Sequence, residues 1–578
     1  MNANRTSGDE INVQPSRMMA DLAELARHTK HAGTVGERES LAVIEARLRE
    51  AGFSCNVLSH DAYISLPGNA SCTVAGQALT CITHSMAAAT GPDGICGMLI
   101  DLGRGDAAAF AREDLRGRIL LVDGIASPVV ALRATRAGAA GVIHVSPHEH
   151  LHEMCLSPVW GNPSLETVGQ LPKVPVVTVS AADGAAVRSD LAREGGVEAT
   201  IFAEVDTGWR ETPLLVAELS SASGSTEEDE PFVLFSGHHD TWHYGVMDNG
   251  SANVAIIEVA RNLVKLHKSW KRGLRICIWS GHSQGRYSGS AWYVDNHWRE
   301  LDKRCVAHVN IDSPGGLDFT SLTGTGVMGA LRPLAHRVIL SQTGQELAGN
   351  RKVRSADDSL QSLGVPSMFG SLSRQESSVP GMRNALGWWW HTPHDLIDKI
   401  NPEFLARDAR ILFGCLEALL CDEILPISHD ETLADLAAQI AGLQQNLEGS
   451  LDLAIAATAV ETLRNQLQDL TRAGHAPIVN AALMELSRWL VPLDYGNGDR
   501  FSHLPALPTV PWPVLEPLRR LAAEQKAASE EADATRFARV DAQRALNRLE
   551  YNLAQATASI ASLSHFRMGS NEDIETHA

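Results

Sequence analysis

The segment Phe232-Val-Leu-Phe-Ser-Gly-His238-His-Asp240-Thr-Trp-His243-Tyr-Gly-Val-Met-Asp248-Asn249-Gly-Ser-Ala252 decides how the chain is read. Its opening run is apolar and strand-like. It delivers His238 at the carboxyl end, the edge at which open α/β sheets bind ligands. A glycine-containing loop then returns Asp248 just ahead of a helix expected to begin near Ala252. An imidazole and a bridging carboxylate held on rigid strand ends suit a divalent cation. Asp240 is placed to orient an imidazole from behind, and His243 is a candidate for supporting the ligands or facing substrate. Alone, Asp248-Asn249-Gly250 is also an ordinary turn and helix cap. Its weight comes from the residues that follow.

Working outward, apolar strands are expected at 274–280, 306–311 and 365–370, alternating with helical segments such as 254–267. The block 231–425 therefore reads as α/β with a mostly parallel sheet. The strand Val309-Asn310-Ile311-Asp312-Ser-Pro-Gly-Gly ends in a second carboxylate at the same sheet edge. Asp357 and Asp358 precede the 365–370 strand. Trp388-Trp-Trp-His391-Thr-Pro-His394-Asp395 sets histidines on a loop ahead of another helix.

On the N-terminal side, helical spacing is expected over 18–52, with a break at TKHAGTVGERES. Short strands follow near 55–58 and 98–102. Residues 118–122, 129–138, 141–145 and 174–179 read as strand, helix, strand, strand with Gly-rich turns, a small α/β unit. After about 430 the pattern is helical, at 433–447, 460–470, 478–490 and a long stretch from 515 to 563.

Composition bounds the partners. The 578 residues carry 49 basic and 69 acidic side chains, a net charge of −20, which argues against nucleic acid and anionic membrane surfaces as partners. No apolar h-region opens the chain and no long apolar run follows, so neither a secretory signal nor a membrane span is expected. The nine cysteines are scattered without a CxxC pair, which disfavours a disulfide framework and suggests a cytoplasmic protein.

Three motifs in order, GHHDTWHYGVMDNGSAN, VNIDSPGG and HTPHDLIDKINP, resemble the co-catalytic di-zinc aminopeptidase family, in its glutamate carboxypeptidase and transferrin receptor-like branch. The pattern LRGRILLVDG…ALRATRAGAAGVI…VPVVTVSAADG is similar to the protease-associated domain inserted in some members. The resemblance implies an α/β metallopeptidase-like domain at 18–80 and 215–428, an inserted protease-associated-like domain at 81–214, and a helical dimerisation domain at 429–568. It implies His238, Asp248 and Asp312 as ligands of one metal, with Asp248 bridging to a second metal that His391 also binds. One or two divalent transition ions are expected, zinc first, with iron or manganese admitted.

One part of the family pattern is missing. The strand at 274–280 should be followed by a Glu-Glu pair, general base then ligand, but the sequence reads Ser280-Gly-His282-Ser283-Gln284-Gly-Arg286-Tyr287. One alignment puts His282 and Ser283 opposite the glutamates; another puts Ser283 and Gln284 there. His282 is therefore a candidate both as a replacement ligand and as the acid–base group, with Asp240 beside it in the catalytic set. Arg286, Tyr287, Arg383 and His394 are the candidates for holding substrate. The expected activity is hydrolysis of an amide or peptide-like bond in a small molecule or short peptide by metal-activated water. The alternatives are a metal-dependent lyase and a catalytically inactive dimeric binding protein.

Overall fold

The structure is a computed structural model and describes residues 12–222, 229–348, 350–376, 385–447, 449–527 and 532–575. Helices α1 (Pro15–Leu25) and α2 (Val35–Glu50) open it, separated where the sequence breaks its helical period. Strands β1 (Ser54–Val74), β2 (Gln77–Leu79) and β3 (Cys81–Thr83) follow. A βαβ series comes next: β4 (Ile95–Asp101), β5 (Ile119–Asp123), α3 (Pro128–Ala137), β6 (Gly141–Val145), β7 (Val176–Val179) and α4 (Ala181–Glu194). Local chemistry sets the ends of α3. Pro128 occupies its first turn, the Ser127 hydroxyl accepts the Val130 N–H, and Gly138 closes it at φ 70°.

Strand β8 (Glu198–Leu219) leads into the second α/β series: β9 (Phe232–His238), α5 (Ala252–Leu263), β10 (Gly273–Trp279), α6 (Ser288–Arg304), β11 (Cys305–Asp312), α7 (Arg332–Thr343), β12 (Ser367–Ser371) and α8 (Pro402–Cys421). Strands β12, β11, β9 and β10 are mutually parallel, and β10 meets β8 antiparallel. β8 also pairs antiparallel with β1, from Val74 opposite Ala199 to Ser54 opposite Glu218. This ribbon continues beyond the parallel strands to β4, which begins the series β4, β5, β6 and β7. The sequence shows β1 only as a short strand near 55–58, because Pro67, Gly68, Gly208 and Pro213 interrupt the alternation and much of the ribbon faces solvent.

The parallel strands are buried on both faces. Val233 and Phe235 of β9 point into the main core with α5 and α8, while Phe232 and Leu234 join Tyr293, Val294 and Leu301 of α6 on the other side. The structure is thus mixed α/β with a mostly parallel sheet. The main core continues into the helical C-terminal region of α9 (Asp430–Asn446), α10 (Ala454–Ala473), α11 (Ala476–Tyr495), α12 (Glu516–Ala527) and α13 (Asp533–Glu575). No helix among the described residues is long and apolar enough to cross a membrane.

A buried arginine helps tie the helices to the α/β part. Arg488 of α11 is buried and donates to the carbonyls of Asp302 (2.8 Å), Gly364 (3.0 Å), Leu301 (3.3 Å) and Cys305 (2.5 Å). Arg488→Met removes the donors and leaves buried carbonyls unpaired. It should cost roughly 3–5 kcal/mol of unfolding free energy in urea titrations; a loss below about 1 kcal/mol would refute the clasp.

Candidate metal centre and its cleft

The C-terminal ends of β9, β10 and β11 bring the motif residues together. His238 is the last residue of β9 and Asp312 the last of β11, and the turn after β10 carries His282. Asp248 arrives on a tight loop that only glycine permits at Gly245. There φ is +49° and an added Cβ would lie 2.3 Å from the Asp248 carbonyl oxygen. Other site residues sit in the left-handed region too: His243 at φ 50°, Arg286 at 51°, Tyr287 at 70°, Ser313 at 51° and His391 at 58°. Such clustering of strained backbone is typical of functional sites.

Hydrogen bonds fix the tautomers. His238 Nδ1 lies 2.8 Å from the Asp240 carbonyl, so it carries the proton and leaves a lone pair on Nε2. That Nε2 is 3.1 Å from Asp248 Oδ1 and 3.5 Å from Asp312 Oδ1. His391 repeats the device: its Nδ1 donates to the Glu153 carbonyl at 2.7 Å, and its Nε2 lies 3.0 Å from Asp248 Oδ2. Asp248 therefore presents one oxygen to each imidazole. His238 Nε2 and Asp248 Oδ1 are buried and have no hydrogen-bond partner. Electron-rich atoms facing one another in a buried site need a cation between them, and this nitrogen and oxygen set suits zinc, iron or manganese.

The charges point the same way. Burial pulls the His238 imidazole towards neutrality, yet Asp248 and Asp312 hold its pKa well above the ordinary value. Burial pushes the Asp248 carboxyl upward, yet His238 and His391 hold it far below the carboxylate range. The pocket calls for positive charge.

The expected Asp240 role is divided. Its backbone carbonyl orients His238, while its carboxylate accepts the N–H groups of His282 (3.0 Å) and Ser283 (2.8 Å) and so shapes the turn after β10. His282 donates from Nδ1 to Asp357 Oδ2 at 2.9 Å and stacks on His238, with ring centroids 3.6 Å apart and planes inclined by 9°. It offers a ring nitrogen within 4.8 Å of the ligand atoms of His238 and Asp312. Ser283 Oγ donates to the Asp240 carbonyl at 3.3 Å.

Further side chains support these residues, one from the third motif and others from outside the motifs. Asp395 accepts the N–H groups of Met247 (2.8 Å) and Asp248 (2.9 Å), aiming the bridging carboxylate. Burial pushes its carboxyl up to about 7. Nearby, burial pushes the Lys30 ammonium down to about 8 as it donates to the carbonyls of His28 and Tyr244. Glu153, from the βαβ series, both accepts from His391 Nδ1 and donates its N–H to the His391 carbonyl at 3.0 Å. His152 donates to the Trp390 carbonyl at 2.5 Å.

A cavity of about 370 Å³ opens onto the centre, lined by Asp248, Asp312, His282 and His391, with Arg286, Tyr287, Arg374 and Trp390 around them. Arg374 was not foreseen, because it follows β12 with no periodic or motif signal. His394 is exposed, near Trp388 and His150, and does not line this cavity. His243 Nε2 lies 3.6 Å from Glu153 Oε1. Arg383 lies outside the described residues.

Fold and site together define an α/β domain that gathers imidazoles and carboxylates suited to a divalent cation at the carboxyl ends of its parallel strands and the loops beside them. Residues 215–415 match the model of Peptidase family M28. The chain is similar to a probable glutamate carboxypeptidase VP8 of Zea mays, 25% identical over 545 residues that cover 78% of this chain and 72% of that protein. It is also similar to a probable glutamate carboxypeptidase LAMP1 of Arabidopsis thaliana, 24% identical over 55% of this chain and 49% of that one. Its fold is shared with an aminopeptidase from Aneurinibacillus sp. strain AM-1, with TM-score 0.55 and 19% identity over 72% of this chain and 96% of the other. It is shared equally with a zinc aminopeptidase from Bacillus subtilis, with TM-score 0.55 and 20% identity over 72% and 97% of the two chains.

Asp395→Ala removes the acceptor that aims Asp248. It should weaken metal binding about 10- to 100-fold in competition with a chelating dye, and unchanged affinity would remove Asp395 from the site's support.

Proposed function

We propose that the protein is a metal-dependent hydrolase of amide or peptide-like bonds in short peptides or small molecules. The observation that carries this reading is the buried pair of facing lone pairs, His238 Nε2 and Asp248 Oδ1, bracketed by Asp312 and His391. His238, Asp248 and Asp312 would hold one ion, and Asp248 with His391 would contribute to a second. A bound divalent ion supplies Lewis acidity and makes water a competent nucleophile at neutral pH.

The remaining work falls to the chain's own residues. Arg286 and Arg374 line the cavity, each with a buried Nε lacking a hydrogen-bond partner, and among the described residues neither pairs with a carboxylate. Half-buried guanidinium groups without a carboxylate partner can hold a carboxylate by charge-assisted hydrogen bonds, so they favour a substrate with an anionic group. Tyr287 and Trp390 wall the cleft and limit water around the reacting bond. The helical C-terminal region exposes Ile455, Phe537 and Tyr551, which supports a homodimer seam there.

Protein purified without chelators should carry at least one equivalent of a transition metal by mass spectrometry. It should also cleave members of a short acidic-peptide panel with incorporation of oxygen from labelled water. No bound metal and no uptake on titration would sink the hydrolase. Within the same panel, Arg374→Ala should raise KM for acidic substrates about 10- to 100-fold and change kcat little. An equal effect on uncharged substrates would remove Arg374 from anion recognition.

A further inference from the structure

The turn after β10, where the family resemblance calls for a glutamate pair, carries a histidine–aspartate pair whose aspartate is buried. His282 Nδ1 donates to Asp357 Oδ2 at 2.9 Å. Ser290 Oγ donates to the other oxygen, Asp357 Oδ1, at 2.9 Å, and lies 2.9 Å from Ser359 Oγ, which accepts the Trp160 indole N–H at 2.9 Å. Asp357 is fully buried, and although burial pushes its carboxyl upward, His282 and Ser290 hold it below its ordinary value. Both carboxylate oxygens are therefore engaged, and the His282 ring is fixed with its Nε2 lone pair free.

Ring geometry separates the two roles left open for His282. An imidazole lone pair lies in the plane of its ring. Rings inclined by 9° with centroids 3.6 Å apart keep their lone pairs in two separate, nearly parallel planes. Coordination of one ion requires them to converge at a bond length of about 2.0–2.1 Å. His238 is committed to the facing carboxylates, so the stacked His282 stands beside the coordination sphere. It remains close enough to reach a water or a substrate atom there, with a ring nitrogen within 4.8 Å of the His238 and Asp312 ligand atoms.

We infer that His282 is the catalytic proton carrier of the hydrolase proposed above, with Asp357 its positioning residue, and that His282 is not a metal ligand. His282 Nε2 takes a proton from water as the water oxygen bonds to the amide carbon. It returns that proton to the nitrogen as the C–N bond breaks, so the sum is one water added across one amide. Asp357 holds the Nδ1–H tautomer and faces the transient imidazolium. This inference rests on the hydrolase reading and is tested separately from it.

The test compares His238→Ala, His282→Ala, Asp357→Asn and Asp357→Ala with the wild type, each checked for folding by circular dichroism and melting. Metal per chain and the visible spectrum of the cobalt-loaded protein report ligation without reference to activity. The expected result is that His238→Ala loses metal, whereas His282→Ala and both Asp357 variants keep wild-type metal content and cobalt bands. Turnover in His282→Ala should fall at least 100-fold in kcat with KM little changed, and added imidazole should restore part of it. Nitrogen-15 spectra should show His282 as the Nδ1–H tautomer in the wild type and a mixture in Asp357→Ala, with kcat reduced about 10-fold or more. Metal loss or altered cobalt bands in His282→Ala would make it a ligand and overturn the inference while leaving the hydrolase intact. Full turnover in His282→Ala would overturn it as well. A wild type without metal would bring down the hydrolase itself.

Discussion

Asp248 divides its carboxylate between two imidazoles, and the rest of the site is arranged around that division. Its oxygens lie 3.1 Å from His238 Nε2 and 3.0 Å from His391 Nε2, with both imidazoles held by carbonyls in the tautomer that turns a lone pair inward. Without positive charge at the centre these atoms repel, and burial prevents water from relieving the repulsion. The fold sustains such a cluster only because each member is held elsewhere. His238 and Asp312 stand on buried parallel strands, and the Asp248 backbone is gripped by Asp395.

The supports come from widely separated parts of the chain. Lys30, between α1 and α2, reaches the Tyr244 carbonyl, and its own carbonyl accepts the Thr241 N–H at 2.9 Å. Glu153 and His152 clasp the backbone of residues 390–391 from the βαβ series. Trp160, also from that series, closes the serine relay behind Asp357. The two α/β series are therefore joined at the site as well as through the β1/β8 ribbon. Displacing the 152–160 segment would disturb His391 and Asp357 together, which makes that segment part of the site's geometry.

How much of this was legible in the sequence follows from how each residue is placed. His238 and Asp312 end apolar runs whose period marks them as strands, and strand ends in parallel sheets have a known function. Asp248 and His391 were legible through the family motifs, since neither sits on a periodic element. The parallel sheet and helical C-terminal region followed from periodicity, whereas the full β1/β8 ribbon was hidden by prolines, glycines and solvent-facing positions. Asp357 was noticed only as an acidic residue before a strand, and Glu153, Lys30 and Arg374 carried no signal. Their roles depend on contacts with residues distant in sequence, and no local pattern encodes such contacts. Asp240 is expected to orient an imidazole; its backbone carbonyl lies against His238 Nδ1, and its carboxylate accepts the N–H groups of residues 282 and 283.

The departure at residues 282 and 283 changes the electrostatics of the cleft as well as its list of residues. The glutamate pair of the resembled family would bring two negative charges to this turn, whereas His282 and Ser283 bring none. Asp357 restores one negative charge, but behind the imidazole, where it also accepts from the Ser290 hydroxyl. The cavity side is left more positive, and Arg286 and Arg374 add to it without carboxylate partners among the described residues. A cleft left more positive attracts anionic groups, a consequence of carrying imidazole and hydroxyl in place of carboxylates at a single turn.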